Sequence, residues 1–351
     1  MKNQAGSRAA LFAAVAALAV GIVSPGVASA AVALTITGDD GNPISLGGAV
    51  NIRNMNPQLG ISSAPTDRLT LSVAGPTGAK VAWDIGCTAG YNASGKFVDY
   101  VGNGVYTVTV RTFASGDLSC ATPSATQSLP FTITASTALG QPQTAVLTRK
   151  AGSTIPNTIN LPIDLNPGAL STEAFVERNV TANPDGSLPG APEQLFPDPT
   201  TKTIAVRLDK GPGVYVVAAH AKSYTGALNP QTFGPWAAPV AIHAFAPFDT
   251  QKFTWTDTRG PSYRFSATIR ATGASGTVTV GIRRGTKGKF RSYGKVKIRK
   301  HRVSKRIRLP RTGKYQMRLG YKGNATVAGG SEVRSFRITR RISFARAALV
   351  G

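Results

Sequence analysis

The stretch GVYTVTV, residues 104–110, decides the fold because it recurs twice more in the chain. GVYVVAA follows at 213–219, and GKYQMRL follows at 313–319. In each copy the tyrosine opens a run in which apolar residues occupy at least every second position. Because successive side chains of a strand point to opposite faces, each run predicts a β-strand with one buried face. The tyrosines of successive copies are 109 and 100 residues apart, which predicts three similar domains.

The rest of the chain after residue 30 also has the pattern of short strands. Alternating runs occur at 69–73 (LTLSV), 81–85 (VAWDI) and 131–134 (FTIT), with turn residues such as GPTG between them. The chain contains 38 glycines and 23 prolines, which fit many strands joined by tight turns, and no stretch has helical periodicity over three turns. The sequence therefore predicts an all-β protein of sandwich type.

The first thirty residues have the pattern of a cleavable export signal. Lys2 and Arg8 give a short basic start, residues 9–23 are apolar and uncharged, and residues 28–30 read ASA, a small-x-small cleavage site. The apolar run is shorter than the roughly 20 residues that a membrane span requires. We therefore expect a signal peptide over 1–30 and a secreted or surface-associated protein, with an uncleaved N-terminal anchor as the alternative.

The chain contains two cysteines, Cys87 and Cys120. In an oxidising compartment an even pair predicts a disulfide, which would stabilise the fold by roughly 3–4 kcal/mol. The alternative is a pair of buried free thiols. Two cysteines without neighbouring histidines cannot complete a tetrahedral metal shell, so the sequence predicts neither a metal site nor a cofactor.

The pattern of glycine, one residue, tyrosine and an alternating strand resembles the penultimate strand, strand F, of immunoglobulin-like and fibronectin-III-like sandwiches. In that family the tyrosine forms a corner. The third copy, with Lys289 and Phe290 ahead of a basic hairpin and the run 321–324 (YKGN) after the strand, is similar to Ig-like modules of secreted bacterial surface proteins. The resemblance implies three tandem Ig-like β-sandwich domains after a cleaved signal peptide.

The first domain departs from the antibody pattern of that family. Trp83 falls where strand C is expected, but Cys87 lies just beyond it and Cys120 follows strand F. The cysteine pair is therefore not the inter-sheet bridge between strands B and F. The resemblance extends to the layout of the strands and gives no guide to a binding surface.

The repeat divides the mature chain into domains. We predict a first domain over 31–136, a second over 143–247 and a third over 248–341, followed by a tail over 342–351. Small residues over 136–142 predict a linker between the first two domains.

The second domain contains a Pro-rich loop over 183–199, and this loop and its approach are acidic. Their six carboxylates are Asp164, Glu173, Glu177, Asp185, Glu193 and Asp198, and Arg178 is the single cation among them. One possibility is that this acidic loop docks against the basic third domain.

All of the net charge lies in the last part of the chain. Residues 251–351 contain 26 Lys+Arg and 2 Asp+Glu, whereas residues 1–250 contain 14 of each. A small soluble domain normally carries a net charge of about 2–8, and a domain near +24 repels itself unless anions compensate. This excess predicts attraction of a polyanion. The alternative is a solvated outer face that serves solubility and discourages edge-to-edge aggregation.

The cations alternate with apolar residues in this segment, so the apolar set can fill a core while the cations cover the outside. The candidate polyanion-binding residues are Arg283, Arg284, Lys287, Lys289, Arg291, Lys295, Lys297, Arg299, Lys300, Arg302, Lys305, Arg306 and Arg308.

The sequence argues against nucleic acid as the polyanion. It contains no RNP, zinc-finger or helix-turn-helix pattern, and Tyr315 and Phe336 fall on the core-facing phase of their strands, where they cannot stack on bases. Because the chain is expected to be exported, the expected partners are anionic polymers of the cell envelope or anionic lipid headgroups.

No catalytic pattern is present in the sequence. The three histidines do not have metal-ligand spacing, and no G-x-S-x-G element occurs. The run 39–42 (DDGN) predicts a β-turn rather than a calcium loop, since the later acidic positions are missing. The LPxTG-like run 309–313 is followed by a charged strand, which makes the match to wall-anchoring signals accidental. We therefore predict an exported, non-enzymatic polyanion-binding protein. The alternatives are a structural spacer or adhesion protein and an accessory carbohydrate-binding module.

Overall fold

A computed structural model describes residues 32–339 except the gaps 64–67, 79–84, 90–91, 149–156, 224–231, 259–261 and 310–311. The described residues form 24 β-strands and no α-helix, which confirms the all-β prediction. The predicted signal peptide, the tail over 342–351 and Trp83 lie outside the described residues.

Domain one contains nine strands in two sheets. Its strands are β1 (Ala33–Thr37), β2 (Pro43–Ser45), β3 (Asn51–Ile52), β4 (Gln58–Ser62), β5 (Arg68–Ala74), β6 (Ile85–Ala89), β7 (Asn92–Phe97), β8 (Gly104–Phe113) and β9 (Ala125–Ile133). One sheet has the order β2-β1-β4-β7 and the other has the order β3-β9-β8-β5-β6. The pairings are antiparallel except that β3 runs parallel to β9.

Domain two repeats this arrangement with eight strands. They are β10 (Ala138–Leu139), β11 (Gln143–Val146), β12 (Thr158–Asp164), β13 (Ser171–Arg178), β14 (Glu193–Leu195), β15 (Thr203–Arg207), β16 (Gly213–Lys222) and β17 (Val240–Phe245). The sheet orders are β10-β12-β15 and β11-β17-β16-β13-β14. Strand β10 lies inside the segment predicted as a linker, yet it pairs with β12 and so forms part of the sheet of domain two. The exact residues at which the domains begin and end stay predictions.

Domain three has seven described strands. They are β18 (Thr250–Thr258), β19 (Ser262–Ile269), β20 (Thr277–Arg284), β21 (Arg291–Lys297), β22 (Arg302–Arg308), β23 (Gly313–Tyr321) and β24 (Gly330–Ile338). The sheet orders are β18-β19-β22 and β21-β20-β23-β24.

The three domains share one topology. In sandwich notation one sheet contains strands A, B and E, and the other contains C′, C, F and G. In domains one and two a short strand, β3 or β11, adds to strand G in parallel. This order defines the chain as three tandem Ig-like sandwiches of the fibronectin-III-like kind. Strand C of domain one is β5, since it pairs along its length with the tyrosine strand β8.

The repeated tyrosine closes a corner. The hydroxyl of Tyr106 donates to the carbonyl oxygen of Gly102 at 2.8 Å, and that of Tyr215 donates to the carbonyl oxygen of Gly211 at 2.9 Å. The glycine two residues before Tyr106 is required, because Gly104 has φ +143° and a Cβ there would lie 2.8 Å from Pro76.

Domains one and two pack directly on each other. Ala221 of β16 is buried in the core cluster of domain one. The amide of Met55 donates to the carbonyl oxygen of Pro167 at 3.1 Å, and the guanidinium of Arg53 contacts the carboxylate of Asp164 at 2.9 Å. Domains one and two therefore share a packed junction.

The segment after β17 belongs to domain three, since Ala246 pairs in parallel with Val327.

The predicted disulfide is confirmed. It joins Cys87 on β6 to Cys120 in the loop between β8 and β9, and their Cα atoms are 5.6 Å apart. The bridge therefore ties the F–G loop to strand C′, the edge of the same sheet, and does not cross between sheets as the antibody bridge does.

Candidate polyanion-binding surface

The basic segment folds as strands with an intact apolar phase, as the alternation predicted. Ile298, Val303, Ile307 and Leu309 are buried in the core cluster of domain three, whereas the cations next to them in sequence are exposed, with Lys305 half-buried. Val296 is only half-buried, because β21 is the edge strand of its sheet. Tyr315 is buried and stacks on Phe336 at a centroid distance of 5.7 Å, so both rings face the core as expected.

The cations cover the outer faces of both sheets of domain three. On the C′-C-F-G sheet, Lys295 and Lys297 lie opposite Thr279 and Thr277. On the A-B-E sheet, Arg302, Arg306 and Arg308 of β22 lie opposite Thr268, Arg264 and Ser262 of β19. The predicted residues therefore form a coat over the sandwich and do not gather on a single face.

Two pairs of cations lie directly opposite each other across strands. Arg264 of β19 faces Arg306 of β22, and Lys314 of β23 faces Arg337 of β24. Like charges in directly opposed positions destabilise a sheet. Sequence reasoning left Arg264, Lys314 and Arg337 out of the candidate site, since alternation gives the face of a side chain but not its partner on the next strand.

Three of the predicted residues are engaged inside domain three. The guanidinium of Arg283 donates to Gln316 Oε1 at 2.9 and 2.6 Å and stacks over the ring of Phe290 at 4.5 Å. Arg284 donates to a backbone carbonyl at 3.2 Å. Lys305 Nζ donates to the carbonyl oxygen of Tyr293 at 2.5 Å. These three side chains hold loops and edges in place as well as adding charge.

The other ten predicted residues are exposed. They are Lys287, Lys289, Arg291, Lys295, Lys297, Arg299, Lys300, Arg302, Arg306 and Arg308.

A cleft forms where the edges of the two sheets meet, between β21 and β22. It has a volume of about 490 Å³ and is lined by Lys295, Val296, Lys297, Arg299, Arg302, Ser304 and Lys305. Five of these seven residues are cations. Because β21 and β22 are consecutive in the chain but belong to different sheets, their side chains approach from both sheets. We call this feature the C′–E cleft.

A tight turn closes one end of the C′–E cleft. Arg299 and Arg302 exchange backbone hydrogen bonds of 2.9 Å, and the two residues between them, Lys300 and His301, have φ of 46° and 60°. Turns with positive φ at both central positions strongly prefer Asn-Gly. A non-glycine residue in this conformation costs about 1–2 kcal/mol. Lys300 and His301 thus occupy the turn despite an unfavourable backbone conformation.

The described carboxylates near the basic surface already have partners. Glu332 accepts from the amide of Thr250 at 2.6 Å and contacts Arg334, and Asp249 contacts Arg270 at 3.4 Å. None of these groups lines the C′–E cleft. The cleft is therefore strongly positive.

The acidic approach in domain two forms contacts away from domain three. Glu177 contacts Lys210 and Glu173 contacts Lys222, each at 3.4 Å, while Asp164 pairs with Arg53 of domain one. Docking of the acidic loop on domain three stays a prediction.

The histidines occupy structural or surface positions. The ring of His220 is buried in domain two, stacked on Trp236 at 3.9 Å and on Phe233 at 4.6 Å. Burial lowers the pKa of His220, and the neighbouring Glu173 partly opposes this effect. His243 is exposed on β17, and His301 is exposed in the turn beside the cleft.

The described residues contain no group of three or more His, Cys, Asp or Glu side chains that could hold a metal ion. The run 39–42 forms a turn, in which Asp40 accepts from the amide of Asn42 at 3.0 Å. That bond lowers the pKa of Asp40. No helix long and apolar enough to cross a membrane occurs within the described part of the chain.

No protein-family model and no curated protein matches this chain. Among solved structures it is similar to a crystal structure of the FN1-FN3 domains of chicken CNTN1. The two share 12% identity over 82% of this chain and 95% of that chain, with a TM-score of 0.22. Because that TM-score is low, the similarity carries no argument, and the assignment of the fold rests on the strand order described above.

Proposed function

We propose that this is an exported, non-enzymatic protein that binds anionic polymers of the cell envelope through the cationic coat of domain three. The observation that carries the proposal is the distribution of charge. Residues 251–351 contain 26 cations against 2 carboxylates, and the cations lie on both outer faces of a folded sandwich, in two places directly opposite each other. Solubility requires a much smaller net charge, and direct opposition destabilises the sheet.

Domains one and two fit the role of a spacer in this proposal. Their shared junction, with the Arg53–Asp164 ion pair and the buried Ala221, favours a stiff two-domain unit to which domain three is attached. Their charge is balanced, since residues 1–250 contain equal numbers of cations and carboxylates. Attraction to a polyanion therefore belongs to domain three.

The test is co-sedimentation with a purified envelope phosphodiester polymer or with vesicles of anionic lipid. The mature chain should sediment with both, and a chain ending at residue 247 should remain in the supernatant. The truncated chain keeps the core clusters of domains one and two complete, so it provides a folded control. Equal sedimentation of the two chains would contradict the proposal.

A further inference from the structure

The C′–E cleft is a concave part of the cationic coat of domain three. Five cations, Lys295, Lys297, Arg299, Arg302 and Lys305, converge on a volume of about 490 Å³. This volume lies within the range of about 300–1,000 Å³ that is usual for small-ligand sites. An anion bound in the cleft would meet cations from β21 and from β22, whereas an anion on one outer face would meet the cations of a single sheet.

The lining of the cleft restricts the chemistry of its ligand. None of the seven lining residues is aromatic and none is acidic, so the cleft offers no platform for stacking a sugar ring or a base. The guanidinium forks of Arg299 and Arg302 suit the oxygens of phosphate groups, and the lysines add compact charges. The site thus recognises an anionic group and not the ring that carries it.

The density of charge narrows the choice further. Five cations around one cleft repel each other, and a ligand relieves this repulsion only if it brings several negative charges into the same space. An acidic polysaccharide carries about one carboxylate per sugar and brings few charges into such a volume. A chain of directly linked phosphates brings about one charge per phosphate.

The architecture of the cleft suits such a chain. The lining residues come from two strands of different sheets, and the turn at Lys300 and His301 holds Arg299 and Arg302 at one end. Lys305 is anchored to the carbonyl oxygen of Tyr293, which fixes its Nζ between the two edges before any ligand binds. An elongated ligand can therefore lie between the strands and meet cations on both sides.

We infer that the C′–E cleft is a binding site for a short chain of linked phosphate groups. This inference rests on the proposed function, because it takes the cationic coat of domain three as an anion-binding surface and assigns a particular class of anion to the cleft within it.

The experiment is isothermal titration of the mature chain with inorganic tripolyphosphate, and with citrate as a small polycarboxylate of lower charge, at constant ionic strength. The cleft variant is Lys297→Gln with Arg302→Gln. The control variant is Lys314→Gln with Arg337→Gln, which removes the same residue types and the same charge from the opposite end of the C′-C-F-G sheet. All four side chains are exposed, so both variants should fold, and thermal unfolding checks this.

We expect tripolyphosphate to bind with at least tenfold higher affinity than citrate. The cleft variant should lose at least tenfold in affinity for tripolyphosphate, and the control variant should lose less than twofold. Amide NMR shifts on adding tripolyphosphate should concentrate in β21 and β22.

Equal losses in the two variants, or equal binding of citrate, would overturn the inference while leaving charge-driven binding by domain three in place. If tripolyphosphate does not bind but the chain still sediments with the envelope polymer, the inference about the cleft is likewise overturned and the proposed function is kept. Loss of both would also remove the proposed function. A longer phosphodiester polymer that binds through the control residues as strongly as through the cleft would place recognition on the coat instead.

Discussion

The cross-strand pair of Arg264 and Arg306 gives a direct test of whether domain three carries repulsive charge. We expect Arg306→Glu to stabilise domain three, because it converts a pair of like charges into a pair of opposite charges at directly opposed positions of β19 and β22. Such pairs are each worth about 0.2–1 kcal/mol in either direction, so the swing is about 1 kcal/mol. For a domain of this size that corresponds to a rise in Tm of about 4–8 °C.

The matched control is Arg308→Glu, which makes the same change of charge on the same strand and the same outer face. Arg308 lies opposite Ser262, so this variant reports only relief of the general positive field. Differential scanning calorimetry of the mature chain at low salt should show a larger rise for Arg306→Glu. In about 1 M salt the screening length falls to about 3 Å, and the difference should largely disappear. Equal shifts of Tm, or a difference that persists at high salt, would refute the repulsion argument.

Three further predictions concern domains one and two. Replacing both Cys87 and Cys120 by serine should lower the free energy of unfolding by about 3–4 kcal/mol in urea titrations, because the bridge closes a loop with a separation of 33 residues; an unchanged midpoint would contradict this. Tyr106→Phe should lower the free energy of unfolding by about 1–3 kcal/mol, since it removes the hydroxyl that donates to the carbonyl oxygen of Gly102. An unchanged free energy of unfolding would contradict the corner assignment. The lowered pKa of buried His220 means that the unfolded chain binds its proton first, so stability should be full above about pH 6.5 and fall below it, by at most about 1.4 kcal/mol per pH unit. His220→Gln should remove this component of the pH slope, whereas His243→Gln on the surface should keep it, and equal slopes in both variants would exclude His220 as the source.

The strand pattern could be predicted from the sequence to a large extent. Alternation around Tyr106, Tyr215 and Tyr315 identified the F strands. A glycine with positive φ precedes each of these tyrosines by two residues, and such a local feature is visible in the sequence. The same alternation separated core from outer residues in β22, where Ile307 is buried and Arg306 and Arg308 are exposed.

Features that depend on pairing between distant segments could not be predicted in this way. The opposition of Arg264 and Arg306 depends on the register between β19 and β22, and alternation fixes a face without fixing a register. The C′–E cleft exists because β21 and β22 belong to different sheets. Likewise, composition predicted a linker over 136–142, but Ala138 and Leu139 pair with β12 because that strand offers an open edge.

The most direct test of the central claim is the salt dependence of binding between the mature chain and an envelope phosphodiester polymer. If about five cations of domain three each replace a condensed counterion of the polymer, the slope of log Kobs against log salt concentration should be about −3 to −5. A larger number of contacts with the coat would make the slope steeper. A slope near zero, with binding retained from low to moderate salt, would contradict charge-driven binding by domain three.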